Sequence, residues 1–236
     1  MYEKEVEEEL RRWQRKMKKR PSRLSSKTKE WQNKINDRLP GVYHQTATIC
    51  VQKTIEAVLA GNTFVTKEPE EKPMTLKECD DEVRRLFQLY RRTAVFEGIG
   101  TGAGGVLLGL SDFPLLLSIK FKALFATAAA YGYSPKEESE RQLILLIFQL
   151  AYSSGDDRAE LLEAISDHLE QRLLATDWQA LQLRYRDYID VPKMFQLIPG
   201  FGAVVGGAVN HTLLEKLEET AMNVYRMRWL NRLNMQ

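Results

Sequence analysis

An all-α protein, a multi-helix bundle around a central pair of glycine-rich apolar helices, is the fold this sequence predicts. Apolar residues recur at spacings of three and four along most of the chain. Capping signals and proline or glycine stops divide it into helix-length pieces. No segment shows the alternation, hairpin turn or βαβ spacing that a sheet would require.

The elements follow in order. Val6, Leu10, Trp13 and Met17 share one helical face, and Leu24, Thr28, Trp31, Ile35 and Leu39 share another until Pro40-Gly41 breaks the pattern. A helix is expected from His44 to Leu59, stopped by Gly61-Asn62, and TKEPEEKPM (66–74) reads as a polar linker. Thr75 and Glu78 form a capping box, since hydroxyl and carboxylate can satisfy each other's orphan amides. The helix they open carries Leu76, Val83, Leu86, Tyr90 and Ala94 inward. Ser134 at an N-cap with Pro135 behind it predicts the start of RQLILLIFQLAY, ended by Gly155. Asp156-Asp157 opens a helix with Leu161, Ile165, Leu169 and Leu173 near one face, and a shorter one runs from about Thr176 toward Val191-Pro192. The last is expected from about Asn210 to Leu233, with Tyr225, Arg226 and Arg228 on a partly exposed face.

Two segments stand apart from this pattern. GIGTGAGGVLLGLSDFPLLLSI (98–119) holds Gly98, Gly100, Gly102, Gly104, Gly105 and Gly109, and IPGFGAVVGGAVN (198–210) holds Gly200, Gly202 and Gly206. Gly100-x-Gly102-x-x-Gly105 matches the dinucleotide fingerprint only formally. Charged helical sequence precedes it, no acidic residue lies about twenty positions on, and no Walker lysine follows. No cofactor is therefore expected. Glycines four apart instead clear a stripe along which helices can approach closely, at about 1 kcal/mol of helix propensity each. Asp112 within the run, followed by Pro114, reads as the N-cap of a new helix and opposes a stable membrane span. Buried core and contact with lipid both remain open for the glycine pair.

The 236 residues are 44% hydrophobic and 28% charged, with mean hydropathy −0.38, which excludes a polytopic membrane protein. Net charge is +2, but residues 1–38 hold thirteen cationic against seven acidic side chains. Arg11, Arg12, Trp13, Arg15, Lys16, Lys18, Lys19 and Arg20 are candidates for contact with an anionic membrane surface, tryptophan at headgroup level. The plain alternative is a solvated face whose charges complement the helix dipole, and no nucleic-acid module accompanies the basic run. Domain boundaries are set at 1–40 for the basic amphipathic helices and 41–236 for a single helical domain.

Two cysteines, Cys50 and Cys79, suggest a reduced cytoplasmic chain, free or peripheral on the inner membrane face. Neither HExxH nor GxSxG occurs, and the three histidines are scattered, so no catalytic or metal residue is assigned. An enzymatic alternative, a hydrolase of lipid or peptide, would need Asp112, Asn210 and His211 to converge. The simpler reading of Asn210-His211 is another N-cap.

Residues 96–133, with their glycine cluster, Asp112-x-Pro114 step and Tyr131-Gly132 helix end, and residues 198–230, with Pro199-Gly-x-Gly leading to Asn210, resemble the EcsC protein family. The likeness spans most of residues 90–230. It implies a bacterial protein associated with an ABC transport system and brings no catalytic residues. Transporter subunits are thus the partners it suggests; oligomeric state does not follow from it.

Overall fold

The computed structural model describes residues 2–19, 74–101, 106–153, 157–169 and 203–234, with Lys53, Glu56 and Ala57 as isolated helical positions. For residues 93–101, 106–116, 157, 203–210 and 234 it describes the backbone alone. Every regular element among them is helical: α1 (Tyr2–Lys18), α2 (Leu76–Thr101), α3 (Val106–Ala130), α4 (Glu138–Tyr152), α5 (Asp157–Leu169) and α6 (Ala203–Asn234). The expected helices at 24–39 and 176–192 and the linker at 66–73 lie outside the described residues.

Helix α1 forms as its periodicity requires. Val6, Leu10, Trp13 and Met17 are its buried residues, with acidic side chains in the first turn and basic ones in the last. The Thr75 box closes in both directions. The Thr75 amide donates to Glu78 Oε2 at 2.8 Å, and the Glu78 amide donates to Thr75 Oγ1 at 3.3 Å. In α2 the buried face runs through Leu76, Cys79, Asp80, Val83 and Phe87, while Leu86 and Tyr90 lie at its edge.

Three expected boundaries shift. The Ser134 carbonyl accepts from the Glu137 amide at 3.1 Å, so residues 134–137 make a turn, and α4 begins only at Glu138. Helix α3 passes through Asp112 and Pro114 without a new start, and α6 begins at Ala203, placing Asn210 inside it. Neither Asp112 nor Asn210 is an N-cap. Buried residues from Leu117 to Ala128 show why a local cap signal loses: packing on neighbouring helices carries α3 past a proline that would end an isolated one.

Helix α3 does stop at the expected Tyr131-Gly132. The Gly132 amide donates to Ala129 O at 3.0 Å and the Tyr133 amide to Ala128 O at 2.9 Å, the paired bonds of a Schellman end. Gly132 has φ +83°, and nothing within 4 Å would meet an added Cβ. Backbone strain is thus the whole penalty. Gly132→Ala is expected to cost about 1 kcal/mol in urea denaturation, and Gly132→Asn should recover part of it. A Gly132→Ala protein more stable than the wild type would contradict this account.

The core gathers α1, α2, α3, α4, α5 and α6 around Phe87, Phe121, Phe125, Leu143, Ile147, Ile165, Leu217 and Tyr225, all at most 1% exposed. Helix α6 is the central element. It packs most extensively on α2 and also against α1, α3 and α4.

Candidate functional site

Long-range side-chain pairs fix the relative directions of α1, α2 and α6. Asp80 and Arg91 on α2 pair with Arg226 and Glu218 on α6, so these helices run antiparallel. Glu9 and Lys16 on α1 pair with Arg226 and Glu219, so α1 is antiparallel to α6 and parallel to α2. Tyr131, just past the end of α3, meets Asp80 near the start of α2. The bundle therefore has two distinct poles. One gathers Asp80, Tyr131, Glu140 and Tyr225. Toward the other run the end of α2 with Gly98 and Gly100, the start of α3 with Gly109, the start of α6 with Gly206, and the basic end of α1.

At the first pole two buried carboxylates organise a polar network. Asp80, fully buried, accepts from Tyr2 Oη at 2.5 Å, from Tyr131 Oη, and from Arg226 Nε and Nη2 at 3.0 and 2.8 Å. Arg226 Nη1 also donates to Glu9 at 3.1 Å. Glu140, 1% exposed, accepts from Tyr225 Oη and Arg228 Nη1, each at 2.5 Å. The Tyr131 and Tyr225 rings stack at 5.1 Å between centroids, joining the two units, and the Arg228 guanidinium lies 3.5 Å from the Tyr133 ring centroid.

The electrostatics suit a lock rather than a reactive centre. Burial, then the neighbouring carboxylates, push the Tyr131 and Tyr225 phenols well above their usual range, so both remain protonated donors. Burial lowers the Arg226 guanidinium, but hydrogen bonding and charge from Asp80 outweigh it and hold the cation. Each carboxylate is spent on tyrosine and arginine, and among the described residues no cluster could hold a metal ion. Cys79 is buried beside Asp80, its thiol pushed up to about 11 by burial and then by the Asp80 charge. Cys50 lies outside the described residues.

Sequence reading missed this network and placed Tyr225, Arg226 and Arg228 on a partly exposed face, which holds for Arg228 alone. Tyr225 is fully buried, Arg226 is 5% exposed, and Arg228 is half-buried. A signal was present: Asp80 sits in register with Leu76, Val83 and Phe87, and Glu140 with Ile144 and Ile147. A carboxylate on an apolar stripe must be paired. The adjacent Asp81 points outward to Arg84 instead.

The predicted candidates fall as follows. Arg11, Arg12, Arg15, Lys16, Lys18 and Lys19 are on the surface of α1, all exposed, and Arg20 lies outside the described residues. Trp13 is 4% exposed within the protein core, so α1 uses its apolar stripe for the bundle and leaves no tryptophan for a lipid headgroup. Gly98 and Gly100 close α2, whereas Gly109 and Gly206 lie within α3 and α6. Gly102, Gly104, Gly105, Gly200 and Gly202 lie outside the described residues.

Asp112 and Asn210 share the glycine-bearing pole, each roughly four to five turns of helix from the Asp80 level. His211 does not join them in a buried site: it is exposed, with Nδ1 3.5 Å from Glu215. No helix among the described residues is long and apolar enough to cross a membrane.

The model of the EcsC protein family matches residues 4–230. The chain is 41% identical over 223 residues to Protein EcsC of Bacillus subtilis (strain 168), covering 94% of each. It is also 33% identical over 141 residues to Uncharacterized protein YdbA of the same organism, covering 57% of this chain and 52% of that one. No solved structure matches the chain.

Proposed function

We propose that this chain, which belongs to the EcsC protein family, is a non-enzymatic accessory protein at the cytoplasmic membrane face, serving an ABC transporter. The observation that carries this reading is the basic end of α1. Glu3, Glu5, Glu7, Glu8 and Glu9 fill its first half, while Arg11, Arg12, Arg15, Lys16, Lys18 and Lys19 follow without an acidic residue. Four buried side chains hold this charge gradient rigidly against the core. A helix polarised in this way meets an anionic surface with its basic end first, because its acidic half would be repelled.

That end is directed toward the same pole as the glycine-bearing ends of α2, α3 and α6, so charge and small apolar residues face one direction. The engaged state of Asp80 and Glu140 supports a binding rather than a catalytic role. Transporter subunits are the partners suggested by the resemblance of the motifs, and the membrane is where both would meet.

Vesicle co-sedimentation tests the reading. The chain is expected to bind anionic vesicles at low salt, to leave neutral ones, and to be released by salt. Neutralising Arg15, Lys18 and Lys19 to Gln should weaken binding by about a hundredfold, at about 1 kcal/mol per basic residue. A chain that stays in the supernatant with anionic vesicles at low salt would refute membrane attachment.

A further inference from the structure

The groove between α1, α2 and α6 holds an unexplained pairing of groups. Among the described residues three buried polar side-chain atoms find no partner in the protein: Trp13 Nε1, Asn223 Oδ1 and Gln149 Nε2. The first two belong to residues that line this one groove. Trp13 is 4% and Asn223 7% exposed. The Asn223 amide nitrogen is already committed, donating to Glu219 O at 2.7 Å. What remains is one donor and one acceptor, a combination that a hydroxyl group satisfies by itself.

The charges of the groove narrow the ligand further. Arg91 is paired with Glu218, Lys16 with Glu219, and Arg226 with Asp80 and Glu9. Arg84 pairs with Asp81. Arg12 lines the same groove, exposed and without a carboxylate partner among the described residues. Glu215, the remaining carboxylate of the lining, lies 3.5 Å from His211 Nδ1, so Arg12, beside Arg11 and Arg15 of α1, is the one cation of the groove left without a carboxylate among the described residues. That suits a monoanion better than a doubly charged phosphate monoester.

We propose that this groove binds a phosphodiester carrying a free hydroxyl, with the phosphate at Arg12 and the hydroxyl between Trp13 and Asn223. The Lys16–Glu219 pair, joining α1 to α6 one turn along from those residues, forms the rim. Its side chains are 66% and 45% exposed, and such a pair yields readily. The ligand is either a glycerol-type lipid headgroup or the free diester. The lipid case rests on the membrane reading above; the free-ester case does not.

Three probes separate these. Phosphatidylglycerol and phosphatidylmethanol vesicles carry equal charge, but only the first offers headgroup hydroxyls, and glycerophosphoglycerol is the soluble diester. Wild-type protein is expected to prefer phosphatidylglycerol over phosphatidylmethanol at least fivefold and to bind the soluble diester in calorimetry. Trp13→Phe should erase the preference, and Arg12→Gln, at an exposed position that does not threaten folding, should weaken diester binding at least fivefold. Diester binding without vesicle binding supports the site while refuting the membrane reading. Diester binding with equal affinity for the two vesicles assigns the free ester as ligand. No diester binding with equal affinity for the two vesicles overturns the proposal, as does a preference that survives both substitutions.

Discussion

Arg226→Leu is expected to lower the melting temperature by about 10 °C or more, through a loss of about 3–5 kcal/mol. The guanidinium is the sole cation hydrogen-bonded to Asp80 among the described residues, and that carboxylate is fully buried. Two phenols would remain as donors, enough to orient Asp80 but not to neutralise it. The damage therefore comes from the stranded charge more than from the lost contact. Asp80→Asn combined with Arg226→Leu removes both charges and should recover most of the loss. Circular-dichroism melts of the two single variants and the double variant form the test. A single Arg226→Leu loss below about 1 kcal/mol would show that the network is not the lock described.

Lys120→Met should act in the opposite direction. The Lys120 side chain lies on α3, 8% exposed, with the Tyr152 ring centroid 5.9 Å from its ammonium. Burial pushes its pKa down to about 8. In the unfolded chain it titrates at about 10.4. A depressed lysine penalises folding in full below its folded pKa, because the charged form must be desolvated. The penalty shrinks as pH rises from about 8 to about 10.4, where the unfolded chain binds more protons, and is absent above. Its size is on the order of 3 kcal/mol.

Lys120→Met should therefore stabilise the protein at pH 7 by about 2–3 kcal/mol, and its advantage should disappear by about pH 10.5. Urea midpoints of both proteins across this range give the difference directly, since the other titrating groups are common to both. A difference that stays constant with pH would rule out a desolvated ammonium at this position.

Local features proved legible where the interaction itself is local. The α1 stripe, the Thr75–Glu78 box and the Tyr131-Gly132 stop each involve residues within a turn or two, and each forms as written. Local signals failed at Asp112-x-Pro114 and Ser134-Pro135, where tertiary packing or a competing turn decided the boundary. The polar network was illegible for a different reason. Tyr131 and Arg226 reach Asp80 across 51 and 146 positions, and Tyr225 reaches Glu140 across 85. Spacing along a chain carries no trace of such partners. Only the phase of Asp80 and Glu140 within their helices hinted that partners must exist. Trp13 was assigned to the right face of α1 but the wrong neighbour, because an amphipathic helix reads the same whether protein or lipid covers its apolar side.

The docking of α1 on α6 has a consequence for synthesis. Glu9 meets Arg226 across 217 positions, and Lys16 meets Glu219 across 203. Helix α1 thus leaves the ribosome long before the helix that carries its ion-pair partners, and until α6 follows, α2 and α5 are there to cover only part of its apolar side. At about 5–20 residues per second that interval is roughly ten to forty seconds. Throughout it, the α6-facing part of the α1 apolar stripe and its basic end remain available to a chaperone or bilayer. Folding then has to withdraw them.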